Sequence, residues 1–282
     1  MKLLTWNIQW GRGADGRVDL DRIAAEIARL GEMDVICLQE VACGYPELPG
    51  NDDSDQFAAI AARFPKYQAI SGFAVDAYRP GGRRRFGNML LSRLPVWQAY
   101  RHLLPWPSDP EVQSMQRVAV EANLGAPFGP LRVTTTHLEY YSAIQREAQI
   151  ERLRELHREA VAHAHHPGKG KKGDGPFAAP QRAALAILAG DCNFRPDAPE
   201  HARLLHDIDG VTPPYRDAWD ALHPGQAHAP TVGLHDKTQW PGEPFTFDFF
   251  FVSDDLLPRV RSMHVDPVSA ASDHQPLVLE LA

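Results

Sequence analysis

The sequence predicts an α/β protein in which two packed sheets carry helices on their outer faces. Three observations predict it. Short apolar runs of strand length recur along the whole chain, from Leu3-Leu4 to Leu277–Leu281. Only a few amphipathic segments of helical spacing interrupt them. Several of the runs end in an amide, a carboxylate or an imidazole, and these ends are spread from residue 7 to residue 274. A length of 282 residues would allow about two domains. Because the strand-end groups near both termini are needed together, one domain over 1–282 is expected.

Leu20, Ile23, Ala24, Ile27 and Leu30 keep helical spacing, with Asp19 as cap and Gly31 as stop. Val35 to Leu38 is a continuous apolar run suited to a buried strand that ends at Glu40. Phe57, Ile60, Ala61 and Phe64 mark a second helix near Gln56 to Phe64, and a third spans about Ser142 to Ala164. Strands are expected at Met89–Leu91, Val118–Leu124, Leu131–His137 and Leu185–Leu188, then at Phe247–Val252, Val260–Val265 and Leu277–Leu281. His163 to Gly175, rich in glycine and lysine, cannot build a core and is expected to be a mobile surface insertion.

Lysine and arginine number 29 against 36 acids, a net charge of −7. That argues against a protein that coats nucleic acid by charge alone, but does not exclude an enzyme whose bound cation supplies positive charge locally. Cys37, Cys43 and Cys192 are odd in number and unevenly spaced, which argues against a disulfide framework or a zinc knuckle. No run approaches eighteen apolar residues and no basic leader opens the chain, so a cytoplasmic protein without a transmembrane segment is expected. Nothing in the sequence calls for a protein partner.

The chemistry lies at the strand ends. Glu40 after Leu38-Gln39, Asn7 after Thr5-Trp6, and Asp273 are oxygen donors of the kind magnesium takes, with manganese a substitute. Asp191 and Asn193, two apart after Gly190, can point the same way and hold a water or a phosphate oxygen. His274 beside Asp273 needs irregular backbone to serve one site, because neighbours on a strand face opposite ways. Asp248, a lone acid among the aromatic residues of Phe245–Phe251, is the expected carboxylate partner of His274. His137 ends its strand where it could donate to a phosphoryl oxygen. Arg83, Arg84 and Arg85, with Asn88, are candidates to grip non-scissile phosphates from a glycine-rich loop. Trp240 is a candidate to stack on a base or wall a pocket.

Taken in order, Thr5-Trp6-Asn7, Leu38-Gln39-Glu40-Val41, Gly87–Arg93, Thr136-His137-Leu138-Glu139, Gly190-Asp191-Cys192-Asn193-Phe194, Phe247–Phe251 and Ser272–Leu277 resemble the endonuclease/exonuclease/phosphatase superfamily. The resemblance covers nearly the whole chain. It implies a four-layer α/β/β/α sandwich, its sheets mainly antiparallel or mixed, with the site at one rim. It also implies that Glu40 binds the catalytic cation with Asn7 and Asp273 beside it. Asp191 and Asn193 would place the attacking water, while His137 and the Asp248-oriented His274 would touch the scissile phosphoryl group. The motif set also looks like the tyrosyl-DNA phosphodiesterase branch, although Tyr140 stands where that branch favours serine. Thr246 stands where many members of the superfamily carry arginine. The implied activity is metal-dependent phosphodiester hydrolysis, in nucleic acid first and in a small or lipid-derived phosphoester second. A catalytically inactive binding scaffold is a third reading, less supported because no motif residue is missing.

Overall fold

A computed structural model describes residues 1–170, 175–179 and 182–282. Its strands form two six-stranded mixed sheets. The first contains β1 (Lys2–Asn7), β2 (Val35–Cys43), β3 (Gln68–Arg79), β4 (Gly82–Ser92), β11 (Val260–Val265) and β12 (Leu277–Leu281), in the order β11-β12-β1-β2-β4-β3. The second contains β5 (Val96–Leu103), β6 (Val118–Ala126), β7 (Gly129–His137), β8 (Ala186–Asp191), β9 (Tyr215–Asp217) and β10 (Asp248–Ser253), in the order β5-β6-β7-β8-β10-β9.

Each sheet holds one parallel pair, β1 with β2 and β7 with β8; the other pairings are antiparallel. A parallel pair needs a crossover, and a helix supplies it each time. Between β1 and β2 runs α1 (Leu20–Arg29), whose Asp19 cap accepts from the Arg22 N–H. Between β7 and β8 runs α3 (Ala143–His165), capped in the same way by Ser142. The consequence is geometric: strands that run parallel end at the same rim, so Asn7 and Glu40, and likewise His137 and Asp191, arrive together.

Alternation along the strands makes the layers. Leu3, Val35 and Cys37 of one sheet pack with Val120, Val133, Ile187 and Phe250 of the other in a core between the sheets. Their neighbours Leu4, Ile36 and Leu38 face outward and are covered by Ile23 and Ile27 of α1 and by Phe57 and Ile60 of α2 (Gln56–Arg63). On the far side Leu188, Phe249 and Phe251 pack under Ile150 and Leu153 of α3 and Leu204 of α4 (Pro199–Leu205). A short α5 (Ala218–Leu222) follows β9. The result is the expected α/β/β/α sandwich.

The structure corrects the sequence reading in places. β3, β5, β9, α4 and α5 were not foreseen, and β4 begins seven residues before Met89. Arg83, Arg84 and Arg85 therefore lie on a strand, not in a loop, and pair across it with Tyr78, Ala77 and Asp76 of β3. The tip of that hairpin projects into solvent, so its side chains lack the apolar alternation that marks a half-buried strand. Within the basic stretch, α3 runs to His165, while residues 171–174 lie outside the described residues. All three cysteines are buried and free. Among the described residues no helix is long and apolar enough to cross a membrane.

Candidate active site

The C-terminal rim of the two parallel pairs is where the backbone departs from regular geometry. Among the described residues four that are not glycine have positive φ: Gln9, Trp10, Glu40 and Asn193. All four sit in segments that build one cavity, and such conformations persist only where surrounding structure enforces them. At Glu40, φ is 59° and the register with β4 slips between Leu38 and Val41. The bulge turns Glu40 out of the ladder while Gln39 stays between the sheets, donating to Thr135 Oγ1 of β7 at 2.8 Å and to Thr5 Oγ1 at 3.2 Å. Gly190 has φ 140°, and a Cβ there would lie 1.9 Å from the Thr136 carbonyl oxygen. Only glycine lets β8 approach β7 closely enough to set Asp191 opposite His137.

The side chains then interlock. Asn7 Nδ2 donates to Glu40 Oε1 at 3.1 Å and to Asp191 Oδ2 at 3.0 Å, while its oxygen accepts from the Gln9 N–H. As placed, Asn7 holds two carboxylates apart and turns no oxygen toward Glu40. Asp191 Oδ1 accepts from the Asn193 N–H at 2.9 Å, closing a tight Asx turn. Asn193 Nδ2 donates to the Leu138 carbonyl and to His137 Nε2, each at 2.9 Å. That pairing makes His137 Nε2 an acceptor and leaves the ring proton on Nδ1. His274 Nδ1 donates to Asp248 Oδ2 at 2.8 Å, and its Nε2 lies 3.6 Å from Asp191 Oδ2. Asp248 is fully buried and also accepts from Thr231 Oγ1 at 2.6 Å. Asp273 Oδ2 accepts from Gln239 Nε2 and Trp240 Nε1, both at 2.9 Å. The irregular backbone that Asp273 and His274 required is present: Val232 bridges both Phe245 and His274, and Trp6 Nε1 caps the His274 carbonyl at 2.9 Å.

Burial sets the electrostatics. It pushes Glu40 above the usual carboxylate range, with the facing Asp273 adding to the effect. It pushes Asp191 up to about 7, His274 opposing and Asp248 reinforcing. Burial disfavours charge on His274 too, but Asp248, Asp191 and Asp273 outweigh it and hold the imidazolium well above its ordinary value. His137 has burial and the positive charges of Arg117 and His274 against it, and is neutral.

Of these groups Glu40, His137, Asp191, Asn193, Asp273 and His274 line a cavity of about 250 Å³ walled by Trp10, Phe86, Met115, Tyr140, Tyr141 and Trp240. Tyr140 meets Trp240 and Phe247 edge-on with centroids 6.3 and 6.1 Å apart. A larger groove, about 640 Å³, runs between α3 and α4. Its Glu151 and Arg203 neutralise one another and none of the strand-end groups lines it, so the chemistry lies at the rim.

The structure thus brings Asn7, Glu40, His137, Asp191, Asn193, Asp248, Asp273, His274 and Trp240 to one place. It does not bring Arg83, Arg84 and Arg85 there: they pair with Asp76, Glu47 and Asp55, and none lines the cavity. Asn88 is buried and donates to the Val118 carbonyl, tying the two sheets together beside the cavity. Sequence reasoning missed Gln239, Thr231 and Arg117, which stand in loops whose partners are remote in the chain.

Residues 4–274 match the family model of the endonuclease/exonuclease/phosphatase family, and the chain belongs to that family. Its fold is shared by several solved structures. One is a truncated Caenorhabditis elegans TDP2, at 19% identity and TM-score 0.63, covering 99% of this chain and 95% of that one. Another is the human Nocturnin catalytic domain, at 20% identity and TM-score 0.63, covering 99% and 92%. A Bacteroides thetaiotaomicron mannosyl-6-phosphatase aligns at 15% identity and TM-score 0.66, covering 100% and 99%. No curated protein matches the sequence.

Proposed function

We propose that this protein is a divalent-metal-dependent phosphodiesterase, with nucleic acid as its first substrate class. The observation that carries the reading is the convergence of two amides, four carboxylates and two imidazoles, drawn from strand ends of both sheets, on one aromatic-walled cavity. Glu40 and Asp273 would hold the cation, with Asn7 beside them. Their mutual repulsion in a buried setting is what a divalent ion relieves, and a set of hard oxygen donors suits magnesium or manganese. When bound, such an ion neutralises the acids and polarises a phosphoryl oxygen. Asp191, Asp248 and His274 also lie close enough to chelate. His274 Nδ1 and Asp248 Oδ2 are spent on each other, however, so this trio handles protons.

Asp191 and Asn193 position a water for in-line attack on phosphorus. The new O–P bond forms as Asp191 takes the water proton, which a carboxyl near neutrality does readily. The opposite ester P–O bond breaks with its electron pair on the leaving oxygen, which solvent protonates. The neutral His137 donates Nδ1–H, and the His274 imidazolium donates Nε2–H, to oxygens that gain negative charge. Tyr140 and Trp240 offer faces on which a base would stack.

One observation favours a small phosphoester as a second reading. Among the described residues that line the cavity, Arg117 is the sole arginine or lysine, and the mannosyl-6-phosphatase shows that this fold accommodates a phosphosugar enzyme. Turnover of single-stranded DNA, duplex DNA, single-stranded RNA and a phosphomonoester panel with magnesium ranks the substrates. Chelator is expected to abolish activity, and Glu40→Ala to remove the rise in melting temperature that magnesium produces. A protein that cleaves none of these with magnesium or manganese is not a phosphoesterase.

A further inference from the structure

We propose that Gln9 and Gln239 are positioning residues for Asp273, a relay of two amides that holds one of its carboxylate oxygens and leaves the other for the cation. This role rests on the metal-dependent phosphoesterase reading, and it falls to a strained segment and a loop that lie outside the strand-end motifs.

The relay begins where β1 ends. Gln9, Trp10 and Gly11 have φ of 43°, 45° and 80°, three left-handed residues in succession. Glycine takes that conformation freely, whereas glutamine and tryptophan keep it only where surrounding contacts enforce it. Gln9 is buried and fully engaged: its N–H donates to Asn7 Oδ1 at 3.0 Å, its Nε2 donates to Gln239 Oε1 at 2.7 Å, and its Oε1 accepts from Arg12 Nη1 at 3.2 Å. Gln239 in turn donates from Nε2 to Asp273 Oδ2 at 2.9 Å. The two ends fix the direction of the chain of bonds. A guanidinium only donates and a carboxylate only accepts, so Arg12 takes the oxygen of Gln9 and Asp273 takes the nitrogen of Gln239. Both amides are thereby oriented, and they meet nitrogen to oxygen.

Asp236 braces the loop. Its Oδ1 accepts from the N–H groups of Thr238 and Gln239 at 3.1 and 2.9 Å, and its Oδ2 lies 3.5 Å from Arg12 Nη1. On Asp273 the outcome is a carboxylate with unequal oxygens. Oδ2 takes two donors, Gln239 Nε2 and Trp240 Nε1, which occupy both of its lone pairs. Oδ1 has only Ser272 Oγ at 3.3 Å, and the single proton of that hydroxyl is closer to the Asn7 carbonyl, at 2.8 Å. Oδ1 is therefore the oxygen left for a cation shared with Glu40, on which the Asp273 charge already acts. A tie that merely closed the loop could end on any backbone carbonyl; this one ends on a carboxylate of the site. Hydrogen bonds to a ligand of this kind set its direction and so the affinity of the ion it holds.

The test uses the full chain with manganese alone and reads the free ion by electron paramagnetic resonance, beside the melting temperature of the metal-free protein and the turnover of bis-p-nitrophenyl phosphate. Gln239 is exposed, and Gln239→Met keeps its length while removing both bonds. The dissociation constant for manganese is expected to rise about tenfold or more, the usual cost of losing a group that orients a metal ligand. Gln9→Met should do the same, and the double variant should bind no more weakly than either single one, because both cut one relay. If Gln9→Met does not fold, Gln239→Met carries the test. Weaker manganese binding at an unchanged metal-free melting temperature supports the relay. Unchanged manganese affinity in Gln239→Met overturns it, and so does a double variant whose losses multiply or a wild type that binds no manganese. If the wild type binds manganese through Gln239 yet cleaves no phosphoester, the phosphoesterase reading falls and the relay stands. If it cleaves, and Gln239→Met binds manganese as before, the relay falls and the reading stands.

Discussion

Two clusters of buried charge use the same residue types to opposite ends. At the rim, Glu40, Asp191, Asp248 and Asp273 face two imidazoles, and both Glu40 and Asp191 are pushed upward. On the outer face of the second sheet, toward α3, Glu121 meets Arg182 at 2.9 Å, with Arg132 and His102 at 3.8 and 3.5 Å. Burial alone would raise Glu121 too, but His102, Arg132 and Arg182 overcome it and hold the carboxyl at about 2. The second cluster is settled internally: each acid has its cation, and nothing need bind. The rim carries more acid than its own cations neutralise, an arrangement that could hold a metal ion.

The comparison breaks first at Glu121. Glu121→Ala leaves Arg132 and Arg182 buried without their acid, and is expected to cost about 3–5 kcal/mol in urea unfolding, with activity per folded molecule retained. A cost below about 1 kcal/mol would mean that the network is not structural. Asp191→Asn should do the reverse. The expected loss is about 10²-fold or more in kcat with the melting temperature held or raised, since a repelling charge is removed. Collapse of stability in this variant would make the rim another structural network.

A smaller effect sharpens the contrast through pH. His157 of α3 accepts from Arg132 at Nδ1 and donates from Nε2 to the Pro213 carbonyl, and burial with the Arg132 charge drives it down to about 3. The unfolded chain takes up this proton below about 6.5 whereas the native state refuses it. Stability is therefore complete above that pH and declines as pH falls toward 3, by at most about 1.4 kcal/mol per unit. The loss from Glu121 begins only lower, below its ordinary value near 4.5. Urea midpoints at pH 7 and pH 5 should differ in the wild type and draw together in His157→Gln; an unchanged gap would place the acid sensitivity elsewhere.

Much of the rim was legible because strand ends are local events. An apolar run that stops at Asn7, Glu40, His137 or Asp191 announces both the strand and the side chain it delivers. Asp248 was legible for a different reason, as an acid that could not stay unpaired among phenylalanines. The arginines at 83–85 misled because a hairpin that leaves the sheet has no buried face to impose a period of two, and its pairing with β3 is invisible in either strand alone. Arg117 carried no signal: its carboxylate partner Glu139 follows 22 residues later in the chain.

The sequence by itself determined the central strands, the covering helices α1, α2 and α3, and which oxygen and imidazole groups end those strands, since periodicity, capping and chain reversal act over a few residues. The tertiary structure alone decided that β1 lies parallel to β2 and β7 to β8, and hence that the ends of both sheets meet at one rim. It also decided which buried charges are matched and which remain in excess. Strand pairing and desolvation depend on partners tens to hundreds of residues away, and no short window of sequence contains them.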